Sequence, residues 1–373
     1  MPQAPNPRIM GRLRLASQGL LGGGFPTVPD AVRWMTCMQA QDLGMAFWAV
    51  GQRVPGTAAS DVRAALDAGS VVRSWPMRGT LHLLAPEDLR WILGITRERL
   101  MNAVAGRHRE LAITEDDISH CRDIAFKTTE TLKAEGVAGA SREQLFQAFE
   151  ESGQVTSAQR GIHVLGSLCQ RAWLVQGPMA RVNGKAGVQQ LFVPFDQWIP
   201  DSRELNRQEG IAELLFRYIR SHGPATIKDF SWWSQVPLTE ARAALKDLQD
   251  GLVELPVGGV SYWLSPETAA VLDHGVPGSR SFLALPGFDE FLLGYQDRSL
   301  VLAPEFAERV VPGNNGVFKR MMVSGGEVVG TWARTGSGKA LGVAPEPFAG
   351  TLGTAASRSF QAQGRAYLKF MAG

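Results

Sequence analysis

Residues 60–86 read Ser60-Asp61-Val62-Arg63-Ala64-Ala65-Leu66-Asp67-Ala68-Gly69-Ser70-Val71-Val72-Arg73-Ser74-Trp75-Pro76-Met77-Arg78-Gly79-Thr80-Leu81-His82-Leu83-Leu84-Ala85-Pro86. Ser60–Ala68 carries a helical pattern, Val71–Arg73 is β-prone, a turn is expected around Pro76, and Thr80–Leu84 is β-prone again before Pro86 closes the run. The same grammar recurs twice. Helix Ala158–Arg171 leads to Trp173–Gln176, a Gly/Pro/Asn-rich turn, Leu191–Val193 and Pro194. Helix Thr239–Gln249 leads to Leu252–Leu255, the turn Gly258-Gly259, Ser261–Leu264 and Pro266.

Further helices precede each final one: Asp117–Ala134 and Arg142–Glu151 in the second unit, Ile211–Arg220 and Ile227–Ser234 in the third. Ser141 and Gln144 have the spacing of a capping box. Three helices and a hairpin make a winged helix-turn-helix unit, and three such units in register strengthen that reading. Winged helices also serve as protein-interaction modules. Residues 267–373 read differently. Ser281–Leu285 and Glu290–Tyr295 look like strands, Val317–Ser324 and Glu327–Trp332 like a hairpin across Gly325-Gly326, and Ala356–Met371 like a last helix. The expected fold is therefore α+β: winged helices over 8–112, 113–200 and 201–266, then a mostly β, barrel-like domain over 267–373.

Length and composition agree with several packed cores. The 373 residues are 45% hydrophobic and 20% charged, as in globular domains rather than disordered chains. No apolar run approaches a membrane span, and the Pro-rich start lacks a signal-peptide stretch. Cys37, Cys121 and Cys169 are scattered and fit neither a disulfide framework nor a zinc site, so a cytoplasmic protein is expected. Residues 1–110 hold 13 Arg, no Lys and 8 Asp/Glu, a balance of +5; the remainder holds 25 Lys/Arg against 28 Asp/Glu. An all-arginine basic half suits phosphate recognition, although solvated helix surface carries the same bias.

Just ahead of the first hairpin lies Met38-Gln39-Ala40-Gln41-Asp42. Apolar residues at 31, 32, 34, 35 and 38 run a helix into it, and Asp42 is placed to cap a helix over Leu43–Val50. On an unbroken helix Gln39 and Gln41 would diverge by about 200°, whereas an extended segment points both to one side. A break at Gln39 would turn Ala40 inward and present two amides able to hold a water without ionising. A capping or solvated role is the alternative.

Other motifs fall away. Gly336-Ser337-Gly338-Lys339 resembles a phosphate loop, but Ala340 replaces its hydroxyl residue and Ala333 stands in place of the first glycine. Leu285-Pro286-Gly287 lies between expected strands rather than helices. His82, alternating with Leu81 and Leu83, reads as a structural histidine.

The runs Cys37–Asp42, Arg73–Leu83, Leu285–Tyr295 and Asn314-Asn315-Gly316-Val317-Phe318 together resemble the bacterial winged-helix DNA glycosylases typified by AlkZ, in order and over nearly the whole chain. The resemblance implies tandem winged helices on duplex DNA and excision of bulky N7-alkylated purines, interstrand crosslinks included. Some members protect antibiotic producers from their own alkylating product. The family's Gln-aliphatic-Gln motif falls on Gln39-Ala40-Gln41, which makes Gln39 and Gln41 the expected catalytic pair. An N7-alkylpurine is already cationic, so its hydrolysis needs a placed water and charge stabilisation more than a strong base. With no Lys in residues 1–110 to form a Schiff base, a monofunctional hydrolase without metal or cofactor, acting as a monomer, is expected. Arg73, Arg78, Lys319 and Arg320 are the candidate DNA contacts. The rival reading is a non-catalytic tandem winged-helix DNA-binding protein, a regulator or lesion-binding shield.

Overall fold

A computed structural model describes residues 5–182, 185–314, 316–336 and 340–373. Asn183-Gly184 of the second turn, Asn315, and Ser337–Lys339 of the rejected phosphate loop lie outside the described residues. The chain mixes helices with antiparallel sheet and forms two compact units. One combines the residues up to Val62 with Ile211–Gly373, and the other is Arg63–Gly210. Compactness in space and repetition along the chain thus divide the molecule differently.

In the unit Arg63–Gly210, the strands Val72–Met77 and Thr80–Leu84 pair with Arg73 opposite Leu83 and Ser74 opposite His82. The turn is not at Pro76, as its sequence suggests, but at Arg78-Gly79, both with positive φ (55° and 68°). Such a two-residue turn matches the twist of its strands, and Gly79 adopts it without strain. Pro76 instead sits where the register shifts between Ser74 and Met77, a bulge at which a missing N–H costs no ladder bond.

The second hairpin, Leu174–Val182 with Lys185–Pro194, extends through Gly177 and Pro178, well beyond the short strands expected. Helices Glu115–Ala134, Arg142–Glu151 and Arg160–Gln170 close over Ile118, Cys121, Leu145, Phe149, Leu165 and Phe192. The Ser141–Gln144 capping box forms as its spacing indicates. Helix Leu89–Glu110 has no counterpart in the sequence reading. Its buried residues cluster before Leu100, and Arg107 and Arg109 mark its last turn, so no single stripe runs its length.

In the other unit, helix Arg207–His222 from Ile211 on and helices Ile227–Ser234 and Leu238–Leu248 precede the hairpin Val253–Val257 with Val260–Leu264. Further on, Phe282–Leu285, Met321–Ser324, Glu327–Thr335 and Gly342–Pro347 form one antiparallel sheet in the order fourth-third-second-first. That sheet is open: among the described residues no closed barrel forms. Gly325 (φ 56°) and Gly326 (φ 94°) make the turn expected of them. Glu290–Leu293, expected as a strand, is a short helix, because the Asp289 side chain accepts the Phe291 N–H at 3.0 Å and starts a turn there. A short apolar run does not distinguish strand from helix by period. Helix Thr354–Ala372 lies against the Phe282–Leu285 strand and helix Leu43–Arg53, where Trp48 meets Tyr367 edge-on at 5.3 Å.

Candidate active site

Helix Val28–Met35 stops three residues earlier than the apolar spacing suggests. Thr36 is fully buried at φ 65°, a region β-branched residues rarely adopt, and the chain leaves the helix there. Met38–Gln39 is extended. Met38 and Ala40 are buried (1% and 0% exposed), while Gln39 is half-buried and Gln41 exposed. Alternation in an extended segment therefore puts both glutamines on the outer side, as the break was expected to do. Asp42 then accepts the Met45 N–H at 3.0 Å and starts helix Leu43–Arg53.

Behind this bend lie two buried acids from the run Leu285–Tyr295. Asp289 and Arg53, both fully buried, pair through two bonds of 2.9 and 3.0 Å. Arg53 also donates to the Gln18 side-chain carbonyl at 2.9 Å, and Gln18 donates to the Tyr295 hydroxyl at 3.1 Å. A buried ion pair survives only with such extra bonds around it. Glu290, 2% exposed, turns the other way. Its Oε1 accepts the Gln39 backbone N–H at 3.3 Å and its Oε2 accepts the Trp233 indole N–H at 3.0 Å, with His222 Nε2 at 3.5 Å. Neither acid was read as part of the site. The available signal was two adjacent charges inside an otherwise apolar run, which asks for a cap or a buried partner.

In front, Asp42, Gly44, Met45, Pro286, Arg320 and Arg334 line a crevice of about 50 Å³, room for only a few waters. Gly287 permits this approach. A Cβ there would sit 2.3 Å from the Phe318 carbonyl oxygen and 2.8 Å from Met45 Sδ, so any side chain would push the 318–320 segment off the helix. Arg320 is half-buried, its guanidinium 5.5 Å from the centre of the Trp332 ring, and Lys319 beside it is exposed. Both precede the strand Met321–Ser324 rather than lying on it.

Gln39, Gln41, Lys319 and Arg320 thus belong to one compact unit, and Arg73 and Arg78 to the other. Arg73 donates to the side-chain carbonyls of Gln176 (3.0 Å) and Gln190 (3.3 Å). Arg78 lies 3.0 Å from His82 Nε2, while His82 Nδ1 is 2.9 Å from the Thr80 carbonyl. A ring donating from Nδ1 and accepting at Nε2 meets both, so His82 is structural. Burial pushes the Cys121 thiol up to about 11 and the Cys169 thiol higher still, which keeps both protonated. Among the described residues, no group of three or more His, Cys, Asp or Glu is placed to hold a metal ion.

A sequence profile described as DNA glycosylase AlkZ-like matches residues 32–370, from the helix before the bend almost to the C-terminus. The chain belongs to the AlkZ-like DNA glycosylase family. It is similar to an interstrand DNA cross-link repair glycosylase of Streptomyces sahachiroi, 27% identical over 319 residues that cover 82% of each chain. The solved Streptomyces sahachiroi DNA glycosylase AlkZ superposes with a TM-score of 0.80 at 24% identity, over 99% of this chain and 97% of that one. At that identity the superposition speaks for the fold. Around the bend at Gln39–Gln41 this chain places the buried acids Asp289 and Glu290 and, beside Asp42, the guanidinium groups of Arg320 and Arg334. No helix among the described residues is long and apolar enough to cross a membrane.

Proposed function

We propose that this AlkZ-like glycosylase hydrolyses the N-glycosidic bond of N7-alkylated purines in duplex DNA, interstrand crosslinks included, and leaves an abasic site. One observation carries the reading: Gln39 and Gln41 stand on the outer side of an extended break whose inner residues, Met38 and Ala40, are buried. Amides so placed hold a water by one donor and one acceptor without competing for a proton. The cationic base leaves readily, so the enzyme's share is to place that water at C1′ and to stabilise the oxocarbenium-like transition state. Bulky and crosslinked bases are excised without being drawn into a closed pocket, which an open bend of this kind permits.

The segments 8–112, 113–200 and 201–266 serve as winged helices that grip the duplex, and 267–373 brings Lys319 and Arg320 to it. Arg320, with Arg334 beside Asp42, engages a phosphate next to the lesion. Arg73 and Arg78 contact the backbone from the first wing. The enzyme works in the cytoplasm as a monomer, is monofunctional, and uses no cofactor. The named activity of the Streptomyces relative, interstrand DNA cross-link repair, supports crosslinks as substrates.

Duplex DNA with a single N7-methylguanine, incubated with the protein and then heated in alkali, tests this. Strand scission at the lesion is expected. Saturable, salt-sensitive binding without scission would instead mark a lesion-binding shield, and protection of one sequence a regulator.

A further inference from the structure

Gln39 is held from behind by a carboxylate where a neutral group would be cheaper to bury. Glu290 is 2% exposed, and an ion taken out of water is costly unless its lone pairs are answered. They are answered asymmetrically. One oxygen takes the Trp233 indole N–H, with His222 beside it; the other takes the backbone N–H of Gln39. The carboxylate therefore ties the motif to the helices Arg207–His222 and Ile227–Ser234. Asp289, the adjacent acid, does the corresponding work for helix Leu43–Arg53 through Arg53.

We infer that Glu290 is a positioning residue for the reaction, fixing the Gln39 backbone so that its side-chain amide holds the attacking water at the correct place. The inference rests on the proposed role of Gln39. An amide at 290 cannot replace the carboxylate. Its one oxygen can take only one of the two carboxylate oxygen positions, and its NH₂ then faces the other donor, so either Gln39 or Trp233 loses its acceptor. A displacement of the motif by about 1 Å costs on the order of 100-fold in rate.

Single-turnover excision of N7-methylguanine at saturating protein, measured with DNA affinity and melting temperature, is the test. Glu290→Gln is expected to slow excision about 10- to 100-fold while DNA affinity stays within about twofold. In a Gln39→Ala background the same substitution should cost almost nothing further, because Glu290 acts through Gln39. A folded Glu290→Gln protein with the wild-type rate overturns the inference, as does an equal loss in both backgrounds. Should Glu290→Gln not fold, Trp233→Phe removes the indole donor and keeps the ring: slowed excision supports the role, an unchanged rate overturns it. In wild-type protein the bond is read by amide exchange at Gln39, where protection supports it and free exchange overturns it. If Gln39→Ala with Gln41→Ala keeps full activity, the motif itself fails. If that pair is inactive while folded Glu290→Gln is not slowed, only the present inference fails.

Discussion

Behind Gln39 and Gln41, the buried acids Asp289 and Glu290 tie elements far apart in the chain together; along the hairpin Val72–Leu84, arginines are tied to their own neighbours. Arg53 and Asp289 are 236 residues apart and fully buried. Arg73 reaches Gln176 and Gln190 across its own sheet, and Arg78 reaches His82 four residues on. The first arrangement holds a bend rigid from behind and leaves its outer side for chemistry. The second braces the hairpin and leaves its guanidinium groups partly committed. On the proposed function, the difference separates a reacting region from a gripping one.

Breaking the buried pair is expected to have the largest effect. Arg53→Met leaves Asp289 charged and unpaired in the interior, and a loss of about 3–5 kcal/mol is expected, read as a lower denaturant midpoint. A change under 1 kcal/mol would mean that the pair does not hold the bend. Arg73→Ala comes next. It strips a donor from the buried Gln176 and Gln190 carbonyls, which costs about 1–3 kcal/mol, and it removes one proposed backbone contact, so DNA affinity falls a few-fold as well. Loss of affinity at unchanged stability would mean that Arg73 grips DNA without bracing its hairpin, and loss of stability at unchanged affinity would remove it from the interface.

Arg320→Ala should affect binding alone. Its guanidinium lies over Trp332 beside the crevice, so stability hardly changes, while the slope of log affinity against log salt falls by about 1. An unchanged slope would remove Arg320 from the interface. The smallest effect is a pH dependence in the unit Arg63–Gly210. Burial lowers His108 and His163, whose rings meet edge-on at 5.4 Å; each then opposes the other's or a neighbouring arginine's charge. Below their usual value near 6.5 the unfolded chain takes up protons that the folded one resists, so stability falls as pH drops. Titrating the melting temperature from pH 8 to 5 checks this, and replacing both by Gln should flatten the curve.

Much of this arrangement could be read along the chain. The break at Gln39–Gln41 follows from apolar spacing on one side, a cap at Asp42 on the other and a period that cannot keep both amides together on a helix. The hairpin at Gly325-Gly326 follows from a turn needing two positive φ angles. The short helix Glu290–Leu293 was not legible, because a glutamate and three apolar residues are too short a run to carry a period and only the Asp289 cap decides the matter. Nor was the bulge at Pro76, where the register and not the residue places the turn. The acids behind the motif were hidden for a different cause: their partners, Arg53, Trp233 and the Gln39 N–H, are brought to them only by the tertiary fold.

The most direct measurement takes Gln39→Ala and Gln41→Ala together and follows release of N7-methylguanine from duplex DNA in a single turnover, alongside binding to the same DNA. Excision should fall by about 100-fold or more with affinity within a few-fold of wild type. Excision at the wild-type rate would place the chemistry elsewhere, and a parallel loss of binding would make the two glutamines part of the grip rather than of the reaction.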